Sequence, residues 1–501
     1  DLRMSRGLGD VYKRQDNAQL NWFSSNPYVY TRAAKDELTT NTFFSSSYLE
    51  LTPIKDLKIR QNVGFSYNMN ERNVYYNRET VEGKDPDNGF ASKADNWAKN
   101  LVLETMATYN KEFNKNHSLN AVIAFSYERG DYGNKAMTAK GFPQDITEDF
   151  DMSAAVNPNK PISGRGMTSL VSFLGRANYS LMNKYLFTAS FRRDGSSKFA
   201  PGNKWSNFAS GAIAWRASEE EFIKSLNIFS NLKIRASYGQ TGNQAIGAYA
   251  TRDYLTVANY PINGALASGF ANLTWRGPAN PDLKWETTTE FNFGLDFGFF
   301  NQRLSGTFEY FKKEVKDLLG YRSLKSFMEV STVAANIGKT QSTGIEISLK
   351  SRNFTGEFKW DTELNFTRYV DRWKERNPED ELSPWQKAND PIRAHYGYLS
   401  DGVLGIDETP PASMPNLLPG EYKIKDINGY LRDDFGNLIP DENGNVQYTD
   451  APDGIIDEAD IVLLGTYDPG FSIGFGNTFE YKGFDLNIFF YGMFDLSLIH
   501  I

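Results

Sequence analysis

Alternation of apolar and polar residues over runs of about ten positions restricts the fold of this chain more than any other feature. Phe291, Phe293, Leu295, Phe297 and Phe299 share one parity, and Asn292, Gly294, Asp296 and Gly298 fill the places between them. After a turn at Asn301, Gln302 and Arg303, the pattern resumes with Leu304, Gly306, Phe308 and Tyr310. Leu57, Ile59, Val63, Phe65, Tyr67 and Met69 alternate in the same way with Lys58, Arg60, Asn62, Gly64, Ser66 and Asn68. Comparable runs cover 171–181, 185–191, 232–238, 345–349 with 358–366, and 471–481 with 484–490. Successive side chains of a strand point to opposite faces, so each run has one apolar and one polar surface.

Two architectures satisfy that pattern: a soluble sandwich, whose apolar face meets a core, and a membrane barrel, whose apolar face meets lipid. Three observations favour the barrel. The runs match the ~9–11 residues of a tilted transmembrane strand rather than the commoner 5–6. Short turns (Asn301 to Arg303, Arg352-Asn353, Lys482-Gly483) alternate with long polar connections over 72–97, 140–166 and 371–457. Aromatic residues are abundant (36 Phe, 27 Tyr and 9 Trp, hence 72 of 501). Trp205, Trp215, Trp275, Trp285 and Trp360 fall near strand ends, where interfacial girdles belong. A mean hydropathy of −0.52 does not oppose this, because alternating strands average to a polar value. No stretch approaches the roughly 18 consecutive apolar residues of a membrane helix. The only helical signal is Ser218-Glu219-Glu220-Glu221, a capping box opening a short turn. With no Pro- or Ser-rich linker, one continuous all-β domain is expected: a transmembrane antiparallel β-barrel.

Composition removes several functions. The 54 Lys+Arg against 62 Asp+Glu leave −8, against a nucleic-acid partner. Zero cysteines exclude disulfides, thiolate zinc sites and a cysteine nucleophile. The three histidines, His117, His395 and His500, carry no nucleophile signature beside them, so no enzyme is expected. Gly239-Gln240-Thr241-Gly242 reads as a turn, since no helix follows to make a phosphate cradle. Arg192-Arg193-Asp194-Gly195 reads as a turn with an Arg–Asp contact, or as charges offered to a ligand or lid. Trp275, Trp285 and Tyr398 read as girdle residues, or as stacking platforms for sugar rings.

The ends differ from the rest. Asp10 to Gln15 and Leu496 to Ile501 can be encoded by DNA strings that are reverse complements of each other. Both strings resemble the mosaic end of a transposase-based sequencing adapter. The expectation is that 1–15 and 496–501 are not native and that 16–495 is an incomplete barrel.

Longer strings carry a specific resemblance: FRRDGSSKF from Phe191 to Phe199, LKIRASYGQTGN from Leu232 to Asn243 followed by Ile246 to Tyr249, and NPDLKWE from Asn280 to Glu286. Asn336-Ile337-Gly338 leads to Gly344-Ile345-Glu346, Tyr396-Gly397-Tyr398 precedes Asp401-Gly402, and YKGFDL runs from Tyr481 to Leu486. In this order and spacing the chain resembles the SusC/RagA family of TonB-linked (TonB-dependent) outer-membrane proteins. The resemblance implies part of a ~22-stranded barrel with long extracellular loops and short periplasmic turns. It implies active import of a large nutrient, an oligosaccharide or a peptide. It also implies a SusD-like surface lipoprotein as lid and a TonB complex as energy source. The family's plug domain and TonB box have no counterpart among these residues, and roughly fifteen strands are too few to close its barrel. A passive porin and a surface adhesion or structural barrel remain the alternatives.

One constellation has ligand-like spacing. Asp426 and Asn428 open an EF-hand-like loop; Asp453, the Ile455 carbonyl, Asp457 and Asp460 continue it after an inserted hairpin with turns at Asp434-Phe435-Gly436 and Glu442-Asn443-Gly444. Calcium here would stiffen a long loop, and no other cofactor is required. The alternative is an acidic, solvated loop rich in turn residues.

Overall fold

A computed structural model describes residues 27–496 apart from 85–86, 254, 263–264, 273–277, 326–330, 378–381, 384, 434–435 and 441–445. The ends 1–15 and 497–501, Trp275 and most of the two hairpin turns at 434–436 and 442–444 lie outside the described residues. Fourteen long strands dominate: β1 (Ala34–Ile54), β2 (Leu57–Tyr76), β3 (Phe90–Asn114), β4 (His117–Lys140), β5 (Ile162–Leu181), β6 (Tyr185–Ser196) and β7 (Trp205–Arg216). They continue as β8 (Phe229–Asn243), β9 (Glu286–Phe299), β10 (Leu304–Lys316), β11 (Gly338–Thr355), β12 (Phe358–Arg376), β13 (Phe471–Tyr481) and β14 (Phe484–Phe494). With the two-residue strand Asn157–Pro158 they make a 15-stranded sheet in which neighbours in sequence pair with each other. The connections alternate. One end has tight turns at 55–56, 300–303, 356–357 and 482–483, and the other has loops as long as 377–470.

Register turns the sequence pattern into surfaces. From β8 to β13 the partners Ile234, Leu295, Phe308, Ile347, Phe366 and Ile473 form one row, apolar at every position. One residue along, the row is Arg235, Gly294, Glu309, Glu346, Thr367 and Ser472. A one-residue slip would exchange the two faces everywhere, so this register is strongly specified. The apolar face is not covered: Phe293 is 37% exposed and Ile213 58%. Large apolar side chains left open in consecutive rows require an apolar solvent, which a bilayer supplies. Among the described residues no helix is long and apolar enough to cross a membrane.

By Cα proximity the chain divides into two compact units. Among the described residues the first takes those from 27 to 108, from 123 to 173 and from 194 to 197. Its core is small and sits at the long-loop end, where Tyr75, Ala91, Ala139 and Phe142 pack together with Met152, Ala154 and Ala155 against them. Lys35 and Lys93 reach the buried Asp149 at 3.2 and 3.3 Å and pin the 141–161 loop there. Among the described residues the second takes those from 109 to 122, from 174 to 193 and from 198 to 496. Its buried residues also gather under loops: Phe199 and Phe208 contact Trp285 with ring centroids 5.2 and 5.8 Å away.

Several sequence expectations change. Strands β1 to β5 run to 20–25 residues, well beyond the ~9–11 of a bilayer crossing. Gly239 to Gly242 is extended strand inside β8, not a turn, and Gly242 pairs with Thr287. Arg352-Asn353 continues β11, and the turn falls at Gly356-Glu357. Trp285 is 5% exposed, with its indole N–H donating to the Lys204 carbonyl at 2.9 Å, so it is neither a girdle residue nor a stacking platform. The capping box does not form: Ser218 lies inside the 3-10 turn Ala217–Glu219 rather than at an N-cap, and the four-residue helix Glu221–Lys224 starts from Glu220 with no side-chain cap bond.

Candidate functional site

Charged residues meet on the polar face of β8, β9 and β10. Arg235 lies across Gly294, its register partner, where a Cβ would fall 2.5 Å from the guanidinium carbon. Glycine at 294 therefore lets the guanidinium cross the strand and reach both sides. It donates to Asp296 at 3.3 Å, to Asn292 at 3.4 Å and to Glu309. Lys233 lies 3.2 Å from Asp296, and the Asn292 amide donates to Glu309 at 3.2 Å. The pairs are charge-assisted and part-buried, so they hold one another in place. Beside them lies a cavity of about 280 Å³ lined by Thr188, Ala212, Ala214, Lys233, Arg235 and Ser237. Sequence reading placed Asn292, Gly294 and Asp296 on the polar face but missed the cluster. Its members are up to 76 residues apart, from 233 to 309, and only register brings them together.

At the short-turn end, Glu220 accepts from Lys184 at 2.8 Å, Tyr185 at 2.7 Å and Trp215 at 3.3 Å. Lys184 and then Tyr185 hold its carboxyl down at about 2. Trp205 and Arg193 make a cation–π contact at 5.3 Å, so Arg193 is committed to an aromatic neighbour. Asp194 is buried rather than offered to a ligand. Tyr398, 39% exposed, belongs to a small loop strand, Ala394–Tyr398.

The loop constellation does assemble across its insertion. The Asp426 carboxylate accepts from the Asp453 and Gly454 amides at 3.2 and 2.7 Å. Asp460, 0% exposed, accepts from Ile427 and Asn428 at 2.8 and 3.2 Å and from Asp457 at 3.1 Å. Asn428 donates to the Ala459 carbonyl at 2.9 Å, and Asp453 accepts from Tyr430 and Ile455. Arg432 stands 3.6 Å from Asp457 and 3.9 Å from Asp453. Burial and the neighbouring Tyr448 push the Tyr430 phenol up to about 12. The two halves therefore fold onto each other, with carboxylates aimed at backbone amides and a guanidinium among them. Among the described residues, no group of three His, Cys, Asp or Glu converges as a metal-ligand set. His117 and His395 each meet a tyrosine, Tyr179 at 2.5 Å and Tyr467 at 2.9 Å, rather than a nucleophile.

The family model described as TonB dependent receptor-like, beta-barrel matches residues 2–496. The chain belongs to the TonB-dependent receptor family. Within it, TonB-dependent receptor P3 of Formosa agariphila is 32% identical over 484 residues, covering 93% of this chain and 45% of that protein. TonB-dependent receptor SusC of Bacteroides thetaiotaomicron is 31% identical over 327 residues, covering 64% of this chain and 30% of that protein. The solved RagAB peptide transporter shares the fold, with a TM-score of 0.73 at 21% identity over 93% of this chain and 49% of that one. The SusC/RagA resemblance and the outer-membrane β-barrel are thus established. Long loops of this TonB-dependent receptor are extracellular, its tight turns periplasmic, and the charged cluster faces the lumen. The chain spans about half the length of the relatives it matches.

Proposed function

We propose that this chain forms wall and loops of an active importer that takes a large, polar nutrient, an oligosaccharide or a peptide, through the outer membrane. The observation that carries the reading is the Lys233–Arg235–Asp296–Glu309 cluster with Asn292, set on the lumen side of a sheet whose other side carries the apolar row of Ile234, Leu295, Phe308, Ile347, Phe366 and Ile473. Fixed charges and amides in a channel wall let a solute with many hydrogen-bonding groups exchange water for protein without leaving polar groups unmet. Energy from a TonB complex and closure by a SusD-like surface lipoprotein complete the mechanism. The wall contributes recognition and passage but no bond-making step.

The test uses the complete reading frame in a Gram-negative host lacking its own copy. Uptake of labelled oligopeptide and oligosaccharide pools is measured with and without TonB. Energy-dependent uptake of one pool, lost without TonB, is expected. Uptake that continues without TonB would indicate a passive porin, and retention at the surface without uptake would indicate an adhesion barrel.

A further inference from the structure

The lipid-facing side of β5 to β9 is not smooth. Tyr238 pairs with Gly211 on one side and Phe291 on the other. Thr188 bonds to Asn178 at 2.9 Å and Ser190 to Ser210 at 2.6 Å, which brings Ala177 and Ala189 alongside Gly211 in the same row. Three small residues in a row leave a groove of about 530 Å³, bordered by Tyr179, Phe187, Ile213, Tyr238 and Phe291. A Cβ on Gly211 would meet only the Thr188 carbonyl, at 3.8 Å, so the floor is open rather than packed. The groove lies at the Phe291 end of the apolar band, toward the long loops, hence in the outer leaflet.

Two cations stand beside it on the same face. Lys312 is the register partner of Phe291, and Arg368 lies in the row of Phe293, Tyr310 and Ile345. They sit two strands apart, or roughly 10 Å sideways. Both are exposed, and neither has an ion pair among the described residues. An unpaired charge on a lipid-facing surface is costly unless an anionic headgroup lies there.

We propose that the groove seats an acyl chain of a phosphorylated outer-leaflet lipid whose phosphates pair with Lys312 and Arg368. The groove continues the lipid-contacting face, so a chain from the bilayer is its natural occupant; the cations select an anionic headgroup above that chain. The site is separate from the lumen and does not depend on which nutrient is carried.

The complete protein is reconstituted in phosphatidylcholine nanodiscs containing either phosphorylated or dephosphorylated lipid A. After exchange into detergent, native mass spectrometry counts the lipids retained. Retention of the phosphorylated lipid over the dephosphorylated one is expected. Lys312→Gln and Arg368→Gln should each reduce it about fivefold, the equivalent of ~1 kcal/mol per basic residue at an anionic surface. Gly211→Leu, which fills the floor, should lower retention of both forms, and unchanged heat-modifiable gel mobility verifies that the barrel is folded. Equal retention of both forms by the wild type would overturn the phosphate assignment. Wild-type retention by a folded Gly211→Leu protein would overturn the groove.

Discussion

Leu295→Arg is the perturbation whose cost follows most directly from the register. Leu295 lies four residues from each end of the apolar stretch Phe291 to Phe299, in a row with Ile234, Phe308, Ile347, Phe366 and Ile473. Four residues at ~3.3 Å each, on a strand tilted by ~40°, place it roughly 10 Å from either edge of that band, near the bilayer midplane. An arginine that deep on the lipid face costs about 2–4 kcal/mol, falling to about 0–1 kcal/mol near an interface. Leu295→Arg should therefore cost about 2–4 kcal/mol and Phe299→Arg about 0–1 kcal/mol, although both replace a large apolar residue of one strand. Asn292→Ala, on the lumen side, gives up its bonds with Arg235 and Glu309 and should cost about 0.5–1.5 kcal/mol. The assay is reversible denaturant unfolding of the complete protein from lipid vesicles, followed by tryptophan fluorescence. Equal, small effects at Leu295 and Asn292, or no gradient between Leu295 and Phe299, would refute the lipid-facing assignment.

Other expectations follow from single contacts. Trp285→Ala, which opens a cavity against Phe199 and Phe208, should destabilise by about 3–5 kcal/mol in thermal unfolding. The Glu220 carboxyl is held well below its ordinary value, so its stabilising contribution is present above about pH 4.5 and disappears as pH falls toward about 2. Glu220→Gln should remove that dependence, measured as the unfolding midpoint between pH 5 and pH 2, an interval on the order of its shift. Asp460→Ala leaves three amides without their acceptor and should expose residues 426–460 to limited proteolysis. Chelation should leave cleavage of the wild-type loop unchanged, since eight backbone amides already occupy the four aspartates; protection that appears only with added calcium would restore the cation-binding reading.

The strands were legible where one face meets lipid and the other water, because that contrast writes a period of two into the sequence. Phe291 to Phe299 and Leu304 to Tyr310 are strands and pair as their spacing requires. The extensions of β1 to β5 were not legible: beyond the bilayer both faces are wet, and a run such as Asp36 to Asn41 carries no apolar alternation. Gly242 misled for a related reason. A glycine in an extended strand marks close approach as readily as a turn, and here the Phe208 ring occupies the space a side chain would take. Ser218 and Glu221 fitted a local capping motif, but Ser218 falls inside the Ala217–Glu219 turn, and the carboxylate of the adjoining Glu220 is claimed by Lys184, Tyr185 and Trp215, brought close by strand pairing. Trp285 sits near a strand end as a girdle residue does; burial under a loop is a tertiary outcome that position cannot reveal. The halves of the 426–460 loop were recognisable as belonging together, since carboxylates at turn spacing bond amides whether or not a hairpin intervenes.

The two-faced wall is the claim on which the rest depends, and the chain's lack of cysteine permits a direct measurement of it. Single cysteines placed in turn at each position from Asn292 to Gly298 carry a fluorophore, with any cysteine of the complete protein outside this chain replaced by serine, and a lipid-soluble quencher is added to that protein in vesicles. The account predicts strong quenching at 293, 295 and 297 and weak quenching at 292, 294, 296 and 298. Uniform quenching along the strand, or alternation of the opposite phase, would contradict it.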